Sequence, residues 1–374
     1  MHSQTRTLFA AYVSQIALVN GLTADAAQTK FAVAPTVEQK LEEAIQESSE
    51  FLQAIEVVPV IQQVGQKVGL GTTRTLAGRR DTAAGNARNP TDPTDTADRG
   101  QYFCKQTNFD YAIPYAKIDA WRHKPDFQTI LATSIAKQQG RDRIMIGWHG
   151  TSAAVQTDRV ANPLLQDVNE GWLHKIRTNA PEQVLDDGDL TVFNNGANNP
   201  GLKKIYVKAG VDLYDHENVA TKTTAKADYS SLEALVLDAK SMIPEHRRND
   251  PDLVVIIGQD LLDDKYFTIA QKTGATATEV EATDRILRSE KKIGGLPAVS
   301  VPFFPANGIL ITTLKNLAIY VQEGSRRRLL KDEPKLDQVE NYESVNEAYV
   351  VEDYDIVVLV ENIAIGEAPA RPAP

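Results

Sequence analysis

The sequence predicts an α+β fold arranged around one long helix, and three observations carry that prediction. Residues 126–148 place Phe127, Ile130, Leu131, Ile135, Ile144, Met145 and Trp148 at spacings of three and four, one apolar stripe on a helix. Two alternating segments, residues 58–70 and 109–115, flank a polar stretch and read as strand, tip, strand. The last third interleaves short apolar runs with turn residues, as in a mixed sheet.

Each element has a local reason. Residues 5–20 form an amphipathic helix with Leu8, Phe9, Tyr12, Val13, Ile16 and Val19 on one side, ended by Gly21. A second helix starts at Thr36, with Gln39 three residues on as a capping box, and carries Leu41, Ala44, Ile45, Phe51, Leu52 and Ile55. Such stripes dock on the body or await another chain. Val58, Val60, Val64, Val68 and Leu70 share one parity, a strand with one buried face. Residues 72–100 hold one large aliphatic (Leu76), no aromatic, five arginines and four aspartates, too little to pack a core. A two-stranded ribbon is marginal alone in water, and no nearby segment supplies a surface for it.

The long helix opens after Pro125 and is ended by Gly147 and Gly150; 23 residues make a rod of roughly 35 Å. Trp172, Leu173 and Ile176 mark a short helix, and residues 185–224 are loose and rich in turn residues. Then come a helix with Ser230 and Glu233 as capping box, a buried strand at 253–257 and a helix over 259–270. Strands at 297–304 and 309–313 turn about Asn307–Gly308, and 317–321, 347–351 and 356–360 add further strands. Residues 367–374 form a Pro/Ala-rich tail.

The 374 residues suffice for two or three domains, with 42% hydrophobic and 24% charged residues, as in globular proteins. No apolar run approaches the ~20 residues that cross a bilayer. Cys104 is the one cysteine, so no disulfide forms within the chain, which fits a reducing compartment. A net charge of −10 argues against a nucleic-acid surface spread over the molecule.

Chemistry-bearing motifs are scarce. No two of the six histidines lie closer than 25 residues in sequence, so zinc-type pairs are missing. Neither G-x-x-x-x-G-K-[ST] nor G-x-S-x-G occurs, and Gly69-Leu70-Gly71 lacks the third glycine of a dinucleotide loop. Asp260, Asp263 and Asp264 either bind a cation or form the acidic first turn of a helix. Arg326 to Arg328 with Lys331 form a basic run that either meets phosphates or acidic patches, or is a solvated loop. No catalytic, cofactor or metal residue is assigned.

Longer strings speak more specifically. Ile293-Gly294-Gly295-Leu296-Pro297-Ala298-Val299 is followed by Val301-Pro302-Phe303-Phe304-Pro305-Ala306. Then come Pro334-Lys335-Leu336-Asp337, Val339-Glu340-Asn341-Tyr342-Glu343-Ser344 and Tyr349-Val350-Val351-Glu352-Asp353-Tyr354. Upstream stand Asn162-Pro163-Leu164-Leu165-Gln166-Asp167-Val168, Gly171-Trp172-Leu173 and Gln46-Glu47-Ser48-Ser49. Together these resemble the major capsid protein family of peduovirus-type, contractile-tailed temperate bacteriophages, over most of residues 1–365 but not 185–224.

The resemblance implies the fold shared by tailed-phage and herpesvirus major capsid proteins. Its parts would be an assembly segment (1–31), an N-terminal arm (32–56) and an extended loop or β flap (57–118). A peripheral domain (119–226, with spine helix 126–148), an axial domain (227–318), peripheral strands (319–352) and a return strand (353–366) would follow. It implies a non-enzymatic shell protein without cofactor, forming hexamers and pentamers of itself in the virion after assembly in the bacterial cytoplasm. Its partners would be a scaffolding protein and maturation protease, and a portal protein at one vertex. It would enclose double-stranded DNA without sequence-specific binding and touch no membrane. Trimming would fall near Lys30, Phe31 and Ala32, and expansion would hinge near Gly65, Gly69 and Gly71. Other classes are an accessory head or scaffolding protein, which predicts long polar coiled helices, and an α/β hydrolytic enzyme, which needs a convergent site.

Overall fold

A computed structural model describes residues 3–67, 77, 100–121, 127–189, 203–208, 227–264 and 291–368. The polar tip of the flap, Gly69, Gly71, most of 185–224, the helix beyond 264 and the end of the tail lie outside the described residues. Seven helices carry labels: α1 (Ser3–Val19), α2 (Pro35–Gln46), α3 (Glu50–Ala54), α4 (Tyr115–Trp121), α5 (Phe127–His149), α6 (Trp172–Asn179) and α7 (Leu232–Ser241). Strands in the first half are β1 (Phe31–Ala32), β2 (Glu56–Val60), β3 (Val64–Gln66), β4 (Gln101–Phe103), β5 (Lys105–Asn108), β6 (Tyr111–Pro114), β7 (Val184–Leu185) and β8 (Ile205–Val207). Those in the second are β9 (Leu253–Ile257), β10 (Lys292–Ile293), β11 (Leu296–Val299), β12 (Ile309–Thr313), β13 (Leu317–Gln322), β14 (Arg327–Glu333), β15 (Gln338–Val351), β16 (Val358–Val360) and β17 (Ile363–Ile365).

Two sheets organise the body. In the first, β15 is central. On one edge β14 pairs with Gln338 to Ser344 and β13 with Glu347 to Val351; on the other β6 and β5 run antiparallel to it. β2 adds in parallel to β13, and β1 antiparallel to β14. The flap base therefore does have a surface, supplied by a strand more than two hundred positions away in sequence (Cys104 Sγ faces the Tyr320 carbonyl across 216 residues). The second sheet runs β10-β11-β9-β12-β16-β7, with α7 packed on it. β8 and β17 pair in parallel beside it.

The long helix runs where its spacing predicts, but its stripe is uneven. Ile130 is exposed, while Ala136, Ile144, Ile146 and Trp148 are buried together with the polar Gln139 and Arg143. Gly147 does not end the helix. A Cβ there would stand 2.2 Å from the Trp172 ring, so its absence lets α6 cross closely. Trp148, Trp172, Phe51, Phe304 and Tyr349 then form an edge-to-face aromatic cluster with centroids about 5 Å apart, at the heart of the main core.

Other expectations shift for local reasons. α1 ends as predicted: Gly21 takes φ +67°, Leu22 N donates to Ala17 O (2.7 Å) and Gly21 N to Leu18 O (3.1 Å). The Thr36 capping box does not form, because Pro35 occupies the first helical position and Ala34 is the N-cap. The second helix breaks at residues 47–49 into α2 and α3. Ser231, not Ser230, caps α7, accepting from Ala234 N at 3.3 Å. The strand at 58–70 is interrupted after β2, and Tyr115 opens α4 instead of continuing a strand.

The Asn307–Gly308 hairpin is also corrected. β11 and β12 do not pair; β9 lies between them, parallel to β11 and antiparallel to β12. Pro302 and Pro305 cannot donate ladder hydrogen bonds, so the chain leaves the sheet there. The tight hairpin is β10–β11, around Gly294 (φ +58°) and Gly295 (φ +78°), a pair of left-handed positions that suits glycine.

Candidate functional site

The structure treats the places singled out by the sequence differently. Asp263 accepts a hydrogen bond from Gln259 (2.7 Å) as the helix-face alternative requires, and among the described residues no group of three or more His, Cys, Asp or Glu side chains could hold a metal ion. Cys104 is fully buried between β4 and β5; burial pushes its thiol up to about 11, away from nucleophilic use. Lys30 is exposed, whereas Phe31 is buried and Phe31 and Ala32 form β1, paired to Arg328 and Arg327.

The basic run is not a solvated loop, nor does Arg326 face outward to phosphates. Arg326 is 0% exposed and makes ion pairs with Glu42 and Glu343. It belongs to a buried charge cluster that sequence reasoning missed. Arg143 of α5, 2% exposed, grips the Glu42 carboxylate of α2 with both terminal nitrogens (2.6 and 3.1 Å). Its Nε donates to Glu347 of β15 at 2.9 Å, and Tyr349 OH donates to the same carboxylate at 3.2 Å. Glu38, one turn before Glu42, accepts from Gly324 N (3.0 Å) in the β13–β14 turn. Arg328 donates to Asn341 Oδ1 (2.7 Å) and to the Tyr12 hydroxyl of α1 (3.3 Å).

Two guanidiniums thus sit among three carboxylates, Glu42 from α2 and Glu343 and Glu347 from β15. Burial alone would raise the Glu42 acid; the Arg143 and Arg326 charges outweigh it and hold the group at about 2. Glu38 goes the other way, raised by burial despite its backbone hydrogen bonds. Arg143 is driven further toward its charged form by Glu42 and Glu347 against the opposing cost of burial. What the cluster does is fasten α2 to α5 and to β14–β15, since either arginine left alone would be a buried unpaired charge. One sequence signal existed: Arg143 shares a helix face with Ala136, Gly140 and Gly147, where a charge needs an inward partner. Its partners, over a hundred positions away in each direction, carry no local mark.

The arrangement matches a shell-forming subunit. The chain resembles a chain of the satellite phage P4 procapsid including size determination (Sid) protein, with a TM-score of 0.75 and 41% identity, covering 99% of this chain and 100% of that one. The fold is that of a tailed-phage capsid protein. Residues 8–363 match the family model described as phage major capsid protein, P2 family. Capsid proteins of Escherichia phage P2 are 43% identical over 378 residues, covering 99% of this chain and 98% of theirs. The major capsid protein of Serratia phage KSP20 is 40% identical over 369 residues, covering 98% and 99%. The chain belongs to the P2 family of phage major capsid proteins, structural proteins of the head shell.

Proposed function

We propose that copies of this chain form hexamers and pentamers that close into an icosahedral head around double-stranded DNA. The observation that carries this is the full-length likeness to a procapsid chain at 41% identity. Residues 32–56 act as the arm, 57–118 as the loop that reaches a neighbour, and 227–318 as the axial domain. A portal occupies one vertex, scaffolding protein and protease act inside, and assembly takes place in the host cytoplasm. Each contact can be modest, because a closed shell multiplies it through effective concentration. The acidic balance of −10 limits phosphate neutralisation, so packaged DNA can slide.

Trimming near Lys30, Phe31 and Ala32 removes α1. The cut needs β1 away from β14, because a protease binds extended, accessible backbone, and here Phe31 is buried beside Val13, Ala17 and Leu330. The substrate form is therefore one in which α1 and β1 have swung off the sheet. Gly65 serves less as a hinge than as a close contact: a Cβ there would stand 2.5 Å from the Tyr102 hydroxyl.

Electron microscopy of the recombinant chain tests the proposal. Capsomers or shells are expected; a compact monomer at high concentration, with no particles, would overturn it. Deleting residues 78–97 should leave the fold intact and impair assembly. Mass spectrometry of mature particles should find an N-terminus near Ala32; particles retaining residues 1–30 would refute the trimming.

A further inference from the structure

A cleft of about 210 Å³ opens between α6 and the base of the β3–β4 ribbon. Three ammonium groups enter it from different elements. Lys67 follows β3, donates to the Glu352 carbonyl at 2.9 Å and stands 5.1 Å over the Tyr354 ring. Lys105 of β5 pairs with Glu170 at 2.8 Å. Lys175 of α6, half-buried, makes no side-chain hydrogen bond among the described residues. Among the described residues lining the cleft, Glu170 is the one carboxylate against three lysines, and it is already engaged by Lys105.

We propose that this cleft is an oxyanion site, taking a phosphate- or carboxylate-sized group against Lys175 with Lys67 and Lys105 as flanking charges. Three neutral donors around it are spent elsewhere: Asn169 Nδ2 on Glu347 O (2.9 Å), Asn179 Nδ2 on Tyr354 OH (2.8 Å) and Thr178 on His174 O (2.9 Å). Among the three lysines, Lys175 is the charged donor with capacity to spare. Its empty state is electrostatically poor. Burial lowers the ammonium to about 8; Glu170 and the Cys104 thiol oppose this, while Lys105 and Lys67 add to it. An anion entering the cleft reverses the sign of that field and drives proton uptake onto Lys175. The anion can be free, or a carboxylate offered by a second copy; with 50 Asp and Glu against 40 Lys and Arg, every copy has carboxylates to offer.

The test is calorimetric titration of inorganic phosphate into the folded, unassembled chain at pH 8, at fixed low ionic strength, in buffers of different ionisation heat. Expected are one-to-one saturation, and a heat that changes with buffer because protons are taken up. Lys175→Gln should weaken binding about tenfold or more and abolish the buffer dependence, as for loss of a charged hydrogen bond. Lys175→Arg should retain binding, and Lys315→Gln, at an exposed position elsewhere, should leave it unchanged. If Lys175→Gln does not fold, Lys105→Gln takes its place, and the same weakening of binding is expected. No saturable heat in the unsubstituted chain, or undiminished affinity in Lys175→Gln or its Lys105→Gln substitute, would overturn the site. Repeating the titration on closed shells separates the two sources and is the one arm that rests on the shell assembly proposed above. Loss of phosphate binding there means a neighbour's carboxylate fills the cleft; retention means a free anion does.

Discussion

Replacing Arg143 by Met keeps most of the side chain's volume and removes its charge. In the native chain Glu347 is 0% exposed and relies on Arg143 Nε, with Tyr349 as its other side-chain partner. Glu42 would keep Arg326 but lose the two-pronged grip. Breaking one member of a buried ion pair leaves an uncompensated charge and costs about 3–5 kcal/mol. The Glu42 acid gives an independent figure. Its fall from 4.5 to about 2 corresponds to about 3 kcal/mol, at roughly 1.4 kcal/mol per unit. Because the folded value lies below the unfolded one, that stabilisation is present above pH 4.5 and is lost as pH falls toward 2. Urea unfolding of the unassembled chain at pH 7, followed by tryptophan fluorescence, should show a loss of about 3–5 kcal/mol at unchanged slope. The variant should also lose less stability than the parent between pH 5 and about 2.5. A loss under about 1 kcal/mol, with the acid dependence intact, would refute the claim that this cluster fastens α2.

Gly147→Ala would place a methyl inside the Trp172 ring and should cost about 1–3 kcal/mol, against the usual gain of about 1 for Ala over Gly in a helix; thermal unfolding reads the sign. Trp172 Nε1 donates to the Ala318 carbonyl at 3.0 Å, whereas buried Trp148 Nε1 has no partner among the described residues, so Trp172→Phe should lose more stability than Trp148→Phe in the same melt. Cys104, buried and with its thiol raised to about 11, should resist a thiol reagent at pH 8 in the native chain and react at once in urea.

The long helix, the Gly21 stop, the Trp172 helix and strands β9 and β13 were readable because their signals are local: a period, a cap, a run of β-branched residues. Long, low-degeneracy strings carried the family. What could not be read depends on partners distant in the chain. Asn307–Gly308 looks like a hairpin turn, yet β9, fifty positions upstream, is inserted between its two arms. Arg326 looks like part of a surface patch until Glu42 and Glu343 are placed against it. The flap ribbon looks unsupported until β15 is laid beside β5 and β6. The capping boxes at Thr36 and Ser230 each missed by one or two positions, where Pro35 and Ser231 offered the backbone a better start.

The fourteen residues of β15 set a constraint on how the polypeptide is made. Until they leave the ribosome, residues 105–114 and 317–333 have no common neighbour, and the parallel match of Glu56 with Ala318 also waits on the last fifth of translation. Nascent chains must therefore carry bare strand edges for most of their synthesis, the condition in which wrong pairing between chains competes best. Pairings of such long range close slowly. The yield of usable subunits is decided during that interval.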